Sequence, residues 1–400
     1  MKAVKLPKEN VSEFMQATEK TGEIWGPVRR KSGGALPGGA QFAGTQPGDA
    51  HQAGAPRVGA RSAAAQPAGS QLGAVKTKTP DHIYGRVSDF SELEPAVTRT
   101  VIPAKIFFHP PHFNMFKFSE HGYCEELRDV ASRIVVGLHP CDIHALLILD
   151  RLFSRDFPDP YWIMRREKTV VIGHSCLPDE KCFCHSTGTD VVEEGFDLFF
   201  SDLDEFYLVW IGSSKGDDLI RLRPDLFIEK LERKDIERFI EWKKWRDGRF
   251  KLNLDFTALP DLMELMYNDA IWEDIALSCL SCASCSMVCP TCNCYNVSDH
   301  YYVHNDEGER TRFWDSCMLK EYSLVAGGHN FRPKRADRLK LWYTHKLQAF
   351  MSAFGKYACV GCGRCILTCP VEINVETVAR TLRGEPVEAF WKRLALKGAK

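Results

Sequence analysis

The sequence has no segment that suggests a membrane or a secretory route. Its longest apolar run, residues 206–211, is far shorter than the roughly 20 residues that a helix needs to cross a bilayer. Residues 1–14 contain no apolar core of the kind found in signal peptides. We therefore expect a chain that has no membrane span and remains in the cytoplasm.

Strong charge and nucleotide-binding motifs are also missing. The formal net charge is −1, which gives no reason to expect a nucleic acid or an anionic membrane surface as partner. No GxGxxG motif opens a helix after a strand, so we expect no flavin or nicotinamide on this chain. GxSxG and HExxH motifs do not occur either, and no catalytic residue is predicted.

Cysteine, in contrast, is abundant, with 16 in the chain. Eight of these cysteines form two copies of the spacing CxxCxxCxxxCP. Three thiolates at steps of three residues can wrap three corners of one iron–sulfur cubane, and the proline stops the chain from folding back. In two-cluster ferredoxins the fourth cysteine of each run binds the other cluster. The pattern therefore predicts a pair of [4Fe–4S] clusters.

This rule assigns the ligands of both clusters. Cluster 1 takes the first ferredoxin set, which is Cys279, Cys282, Cys285 and Cys369. Cluster 2 takes the second ferredoxin set, which is Cys359, Cys362, Cys365 and Cys289. Structural zinc, which usually shows paired CxxC units, and disulfides fit this spacing less well.

A third cysteine set lies earlier in the chain, and its members are Cys141, Cys176, Cys182 and Cys184. The first two follow runs that are typical of buried strands, and parallel strands end at the same edge of a sheet. Four thiols are the right number for a third [4Fe–4S] cluster, with Asp142 or His185 able to replace one ligand. The alternative is that some of them are ordinary buried thiols.

Three further cysteines, Cys292, Cys294 and Cys317, lie near the two ferredoxin runs. We interpret them as residues that pack against a cubane and donate hydrogen bonds to its sulfurs, which would tune its potential. A ligand role for them is the alternative. Cys124 has no partner at metal-binding spacing and is interpreted as an ordinary thiol.

The predicted fold class is α+β, and we divide the chain into four parts. Residues 1–32 pack on the following domain, and residues 33–76 form a disordered insertion rich in Gly, Ala, Pro and Gln. Residues 77–250 form an α/β domain that has a partly parallel sheet and holds the third cysteine set. Residues 251–400 form an α-helical two-cluster ferredoxin domain.

Local patterns support this division. Strand runs at 133–138 and 169–173 flank a helical spacing at 142–153, which is a βαβ pattern. The interval 290–358 contains two helical patterns, at 320–326 and 335–350. Residues 231–245 are predicted to form an amphipathic helix whose inward face contains Ile236, Phe239, Ile240 and Trp242 or Trp245.

Several short motifs resemble one family, the iron–sulfur beta subunits of cytoplasmic sulfhydrogenases, and its relative, the corresponding iron–sulfur subunit of anaerobic sulfite reductase. The motifs before the ferredoxin runs are LHPCD at 138–142, IGHSC at 172–176, CFCHS at 182–186 and GFD at 195–197. The later motifs are CPTCNC at 289–294, WDSC at 314–317, AGGHNFRP at 326–333 and CVGCGRC at 359–365.

The resemblance implies a soluble subunit that transfers electrons. Its partners would be a subunit that binds flavin and NAD(P) and a terminal catalytic subunit of the hydrogenase, sulfite reductase or heterodisulfide reductase type. One alternative is a reductase in its own right, acting on polysulfide or a disulfide at the cluster near Cys141 and Cys176. Another is a scaffold that uses metal only for folding.

Overall fold

The computed structural model describes residues 2–30, 82–125, 130–304 and 306–387. The disordered insertion predicted at 33–76 lies outside the described residues. Within the described part of the chain, no helix is both long and apolar enough to cross a bilayer.

The strands of the described residues fall into two sheets. In chain order they are β1 (Lys2–Pro7), β2 (Glu23–Arg29), β3 (His82–Arg86), β4 (His112–Ser119), β5 (Gly122–Glu125), β6 (Arg133–Leu138), β7 (Thr169–His174), β8 (Leu198–Asp202), β9 (Phe206–Ile211), β10 (Tyr295–Tyr302) and β11 (Glu307–Trp314). The larger sheet has the order β1-β9-β8-β7-β6-β2-β3, and the smaller has the order β10-β11-β4-β5.

The larger sheet is mixed. Strands β2, β6, β7 and β8 run parallel, whereas β3, β9 and β1 pair antiparallel at the two sides. Strand β6 is buried over five of its six residues, as expected for a parallel strand that is covered on both faces. The prediction of a mixed α and β fold with a partly parallel sheet is confirmed.

The α-helices of the described residues begin with those around the larger sheet, which are α1 (Val11–Glu19), α2 (Pro140–Phe153), α3 (Pro160–Glu167), α4 (Ser214–Arg221) and α5 (Arg233–Asp247). They continue with α6 (Leu259–Leu265), α7 (Ile271–Ser278), α8 (Ser284–Met287), α9 (Arg335–Thr344), α10 (Phe350–Phe354), α11 (Arg364–Thr368) and α12 (Val375–Leu382). Helices α1 and α4 pack in one apolar core with β1 and β9, and α2 and α3 pack in a second core with β6 and β7.

The inward face of α5 agrees with the prediction only in part. Ile236, Ile240 and Trp245 are 47%, 46% and 50% exposed. The buried positions of this helix are instead Asp235, which is paired with Lys5, and Arg246, which is paired with Asp190. Phe239, which packs on Trp210, and Trp242 are partly buried on the same side of the helix, as predicted. The apolar pattern was therefore right for these two residues and wrong for Ile236, Ile240 and Trp245, because charged side chains share the buried stripe.

The interval between the two ferredoxin runs is only partly helical. Strands β10 and β11 form a hairpin that pairs with β4, and residues 321–323 make a single 3₁₀ turn where a longer helix was predicted. The second predicted helix is present as α9, one π-helical turn at His345–Ala349, and α10. The hairpin pairs with β4, which lies almost 200 residues earlier in the chain. Local sequence patterns do not reveal a pairing between segments so far apart.

Candidate iron–sulfur centres

The two CxxCxxC turns have the same backbone conformation. In the first, Ser281 and Ala283 have positive φ angles of 51° and 62°. In the second, Gly361 and Gly363, at the equivalent positions, have φ angles of 61° and 74°. Left-handed residues in such turns direct backbone N–H groups into a concave site that favours negative charge.

These N–H groups reach the sulfurs. The Ser281 N–H donates to Cys279 Sγ at 3.4 Å, and the Gly361 N–H donates in the same way to the Cys359 thiol. Burial raises the pKa of Cys359 to about 12, and the Gly361 hydrogen bond acts in the opposite direction. In each turn, backbone dipoles therefore stabilise negative charge on the sulfurs.

The fourth cysteine of each run lies beside the other run. Cys369 is the strongest electrostatic neighbour of Cys285, followed by Cys279 and Cys282. These four thiols, which are the first ferredoxin set, also line one cavity beside Tyr343. Four thiols are the donor set that a cubane needs.

The second ferredoxin set comes together in the same way. Cys365 has Cys359, Cys362 and Cys289 as its nearest thiol charges, and burial raises its pKa. The structure thus brings together all four members of each set that the spacing rule assigned. Their role as ligands stays a prediction.

The third cysteine set converges at the edge of the larger sheet. Cys141 is the second residue of α2, directly after β6, and Cys176 follows β7. Burial raises the pKa of Cys184, and so do the neighbouring thiols of Cys176 and Cys182. Cys184 in turn contributes to the raised pKa of Cys141, so the four thiols are neighbours. All four thiols are buried or nearly so. The set has the composition that a third cubane needs.

Asp142 and His185, the two suggested replacement ligands, have other partners. Asp142 forms an ion pair with Arg364 in which the two oxygens accept hydrogen bonds at 2.8 and 3.0 Å. His185 contacts Asp190 at 3.2 Å and stacks on Phe250. The four cysteines are therefore the stronger ligand set.

A cubane and a single metal ion need different ligand geometries. Within the ranges that the structure describes, no group of three or more His, Cys, Asp and Glu side chains is placed to hold a single ion. Ligands of one zinc ion all lie about 2 Å from the same atom, whereas the thiolates of a cubane bind separate irons and lie farther apart.

The third set and the second ferredoxin set are in direct contact. Cys141, Cys182 and Cys184 share one apolar cluster with Val360, and Cys362 packs against it. The Phe183 N–H donates to the Gly361 carbonyl at 2.9 Å. This interface places two predicted cluster sites next to each other.

Buried cations surround these thiols, and the sequence interpretation missed them. Arg99 donates to Cys182 Sγ at 2.9 Å, and Arg246 donates to the Cys176 carbonyl at 3.0 Å. Lys105 and Lys346 lie beside Cys289 and Cys292. Arg364, which pairs with Asp142, is the buried cation that the sequence could have indicated, because it lies inside the motif CGRC.

The two buried lysines respond differently to the same surroundings. Burial lowers the pKa of Lys105 to about 8. Burial also opposes the charge of Lys346, but the nearby sulfurs of Cys289 and Cys292 raise the pKa of Lys346 above its ordinary value. Lys346 is therefore a fixed positive charge next to the second ferredoxin set.

The three additional cysteines are placed near the ferredoxin sets. The Cys292 thiol donates to Cys289 Sγ, and the Cys317 thiol donates to Cys294 Sγ. The first contact is of the kind predicted, from an additional cysteine to a cysteine of a ferredoxin set. That Cys289 is a cluster ligand stays a prediction. Cys124, on β5, is exposed.

Comparison with known proteins agrees with the geometry. Residues 278–373 match the family described as "4Fe-4S dicluster domain". The chain is also 34% identical over 374 residues to sulfhydrogenase 2 subunit beta of Pyrococcus furiosus, covering 94% of this chain and 96% of that protein. This chain belongs to the sulfhydrogenase beta-subunit family. As a member of that family with a dicluster domain, it is an iron–sulfur protein.

Proposed function

We propose that the chain is the electron-transfer subunit of a hydrogenase-type complex, with three [4Fe–4S] clusters. The observation that carries this proposal is the contiguous arrangement of three four-cysteine sets. Cys141 of the third set neighbours Cys362 of the second, and Cys365 of the second neighbours Cys285 of the first. The order third, second, first is therefore a continuous path through the protein.

When bound, the clusters supply one-electron carriers. The residues of this chain fix the spacing of the three sites, exclude water and set the local charge. Apolar burial is provided by Phe183, Trp342 and Tyr343, which are each less than 5% exposed. Backbone N–H groups and buried cations stabilise added negative charge, which raises a cluster potential.

The two ends of the path suggest where partner subunits dock. At the first ferredoxin set, Cys282 is exposed, and Leu277 and Leu280 beside it are 63% and 60% exposed. At the third set, a surface cleft reaches Cys176 and is lined by Leu177, which is 41% exposed. We assign one end to a subunit that binds flavin and NAD(P), and the other to a hydrogenase-type catalytic subunit.

The charge of Lys346 gives a prediction about cluster 2. For a unit charge within about 10 Å of a redox centre at an effective dielectric constant of about 20, Coulomb's law gives on the order of 2 kcal/mol, which is on the order of 100 mV for one electron. Lys346→Met removes a charge that stabilises the added electron, so the potential of cluster 2 should fall by that order. A potentiometric titration followed by EPR measures it.

A matched control is available on the neighbouring helix. Lys340 lies on α9, over the ring of Tyr267 at 4.0 Å, and is partly exposed. Because solvent screens this charge, Lys340→Met should leave all cluster potentials unchanged. Equal potentials in the Lys346→Met variant and the wild type would contradict the assigned role of Lys346.

Iron counting tests the third cluster. Anaerobically reconstituted wild type should contain about 12 irons per chain, and Cys182→Ser should contain about eight, because each cubane holds four. Cys124→Ser is the control and should keep about 12 by the same count. An unchanged iron content in Cys182→Ser would rule out a cluster at the third set.

A further inference from the structure

A cavity of about 380 Å³ lies between α5 and one face of the larger sheet. The sheet contributes Phe199 and Ser201 from β8 and Trp210 from β9, and α5 contributes Phe239 and Trp242. Phe199 and Trp210 are paired residues of neighbouring strands, and alternate residues of β8 share a face of the sheet. The volume is within the range of sites that enclose a small molecule.

Aromatic rings form much of the cavity wall. The ring centroid of Phe239 lies 5.5 Å from that of Trp210 and 6.2 Å from that of Trp242. On the sheet side, Phe199 lies 5.5 Å from Phe196, which also lines the cavity. Aromatic rings pair favourably with another flat ring by offset stacking or by edge-to-face contact. The wall therefore suits a flat aromatic ligand.

Two buried hydroxyl groups also line this cavity. Ser175 and Ser201 are 7% and 2% exposed. Ser175 Oγ accepts from the Asp202 N–H at 3.0 Å, and Ser201 Oγ accepts from Trp210 Nε1–H at 3.2 Å. Among the described residues, neither hydroxyl has an acceptor for its own proton. Because a hydroxyl donates as well as accepts, both can donate to carbonyl oxygens of a ligand.

The charges of the lining balance. Its two cations are Lys243 and Arg246, and its two anions are Asp190 and Glu193. Arg246 is paired with Asp190 at 3.5 Å, and Lys243 is paired with Asp247 at 3.7 Å. A phosphate or carboxylate on the ligand would need a cation that has no carboxylate partner. The cavity therefore suits an uncharged ligand and does not suit a nucleotide.

The cavity adjoins the third cysteine set. Its lining includes Pro140 and Ser175, which immediately precede Cys141 and Cys176 in the chain. Arg246, also in the lining, donates to the Cys176 carbonyl at 3.0 Å. Consecutive Cα atoms are only about 3.8 Å apart. A ligand in the cavity would therefore lie beside the third set, at the carboxyl edge of the parallel strands where ligands commonly bind.

We propose that this cavity binds an uncharged quinone with fused rings and that the third cluster exchanges electrons with it, which rests on the proposed electron-transfer function. A quinone combines the three properties that the lining selects, which are a flat ring system, carbonyl acceptors and no charge. The volume accommodates roughly two or three fused rings.

The redox step balances with solvent protons alone. The reduced third cluster gives one electron to the quinone and is refilled from the second ferredoxin set. A second electron follows by the same route. The two quinone oxygens take up two protons from solvent, so the product is the hydroquinone, and each cluster that gave an electron is left oxidised.

Binding is tested by equilibrium dialysis of the oxidised full chain with its clusters. The probe is 2,3-dimethyl-1,4-naphthoquinone, whose methyl groups block the ring positions that react with thiols. The wild type should bind about one quinone per chain. Phe239→Ala should weaken binding about tenfold, because an aromatic contact is lost. Val192→Trp, which adds an indole to the cavity lining, should abolish it.

A control on the same helix is Trp245→Ala, since Trp245 is 50% exposed and lines a different cleft. This variant should bind the quinone as the wild type does. Iron content and the thermal unfolding midpoint show whether each variant is folded. Quinone binding that is unchanged in folded Phe239→Ala and folded Val192→Trp would overturn the proposal.

A second ligand tests the contact with the carbonyl oxygens. The hydrocarbon 2,3-dimethylnaphthalene has the same rings without carbonyl oxygens and should bind more weakly than the quinone. Ser201→Ala should weaken quinone binding about fivefold, because one hydrogen bond is lost, and should leave binding of the hydrocarbon unchanged. Equal affinity of the wild type for both ligands would overturn the assignment to quinones.

Electron exchange is followed in a single turnover. The protein is reduced with dithionite, freed of excess reductant and mixed anaerobically with the quinone, and the return of the oxidised cluster absorbance is recorded. The wild-type rate should rise with quinone concentration to a plateau, because a bound complex precedes the transfer. In Val192→Trp the rate should be about tenfold lower or less and should show no plateau, because only random collisions remain.

Cys182→Ser identifies the electron donor. This variant should bind the quinone as the wild type does, but it should lose the plateau because the third cluster is absent. A wild-type plateau in Cys182→Ser would overturn the third cluster as the donor.

The outcomes separate this proposal from the relay. Clusters that are reducible by EPR, in a protein that does not bind the quinone or binds it without reoxidation, would overturn the exchange and leave the relay intact. Clusters without a reducible EPR signal, together with normal quinone binding, would overturn the relay and the exchange that depends on it.

Discussion

Gly361→Ala should remove the third cluster while leaving the first intact. A methyl group on Gly361 would lie 2.5 Å from both the Cα and the N of Cys184. Backbone atoms at that distance cannot rotate away, so the 182–184 segment must move. We expect iron to fall from about 12 to about eight per chain, at four per cubane. Iron analysis and thermal unfolding measure the effect.

The first ferredoxin turn supplies the control. Ser281 has the same left-handed conformation at the equivalent position and carries a side chain. Positive φ alone therefore does not require glycine in this turn, and Ser281→Ala should keep the full iron content. Retention of about 12 irons by Gly361→Ala, at four per cubane, would show that the contact with Cys184 is not needed for assembly.

Arg364→Met should destabilise the junction between the third and second sets. Arg364 and Asp142 are both about 2% exposed and form two parallel hydrogen bonds. Removing the guanidinium leaves a buried carboxylate without its partner, which typically costs about 3–5 kcal/mol. We expect a thermal unfolding midpoint several degrees lower, because this pair joins α2 to α11.

Two further variants isolate the cause. In Asp142→Asn/Arg364→Met no buried charge is left unpaired, so the double variant should be more stable than Arg364→Met alone. Arg310 makes a similar two-bond pair with Asp299 on the exposed hairpin, and Arg310→Met should cost less than about 1 kcal/mol. A double variant that is no more stable than the single one would contradict the explanation.

Local sequence patterns were sufficient to predict the two strands and the helix that position Cys141 and Cys176. The runs at 133–138 and 169–173 are β6 and β7, and the helical spacing after Cys141 is α2. Because parallel strands end at one edge of the sheet, the meeting of Cys141 with Cys176 followed from these elements. The crossing of Cys289 and Cys369 between the two runs followed from the spacing rule alone.

Long-range contacts account for what the sequence did not reveal. The β10–β11 hairpin is stabilised by β4, and Lys105 reaches the Cys292 carbonyl across 187 residues. Gly361 and Gly363 could have been singled out from the sequence, because the first turn has serine and alanine at the equivalent positions. The structure shows why glycine is needed there: the 181–184 segment packs against both positions and leaves no room for a side chain.

An EPR-monitored redox titration of the reconstituted wild type tests the relay most directly. One electron is taken up by each cubane, so full reduction should give about three unpaired spins per chain, with magnetic coupling between neighbouring clusters. Recovery of the oxidised spectrum on reoxidation would show a reversible carrier. A protein that contains zinc in place of iron and develops no reducible EPR signal would contradict the assignment as an electron-transfer subunit.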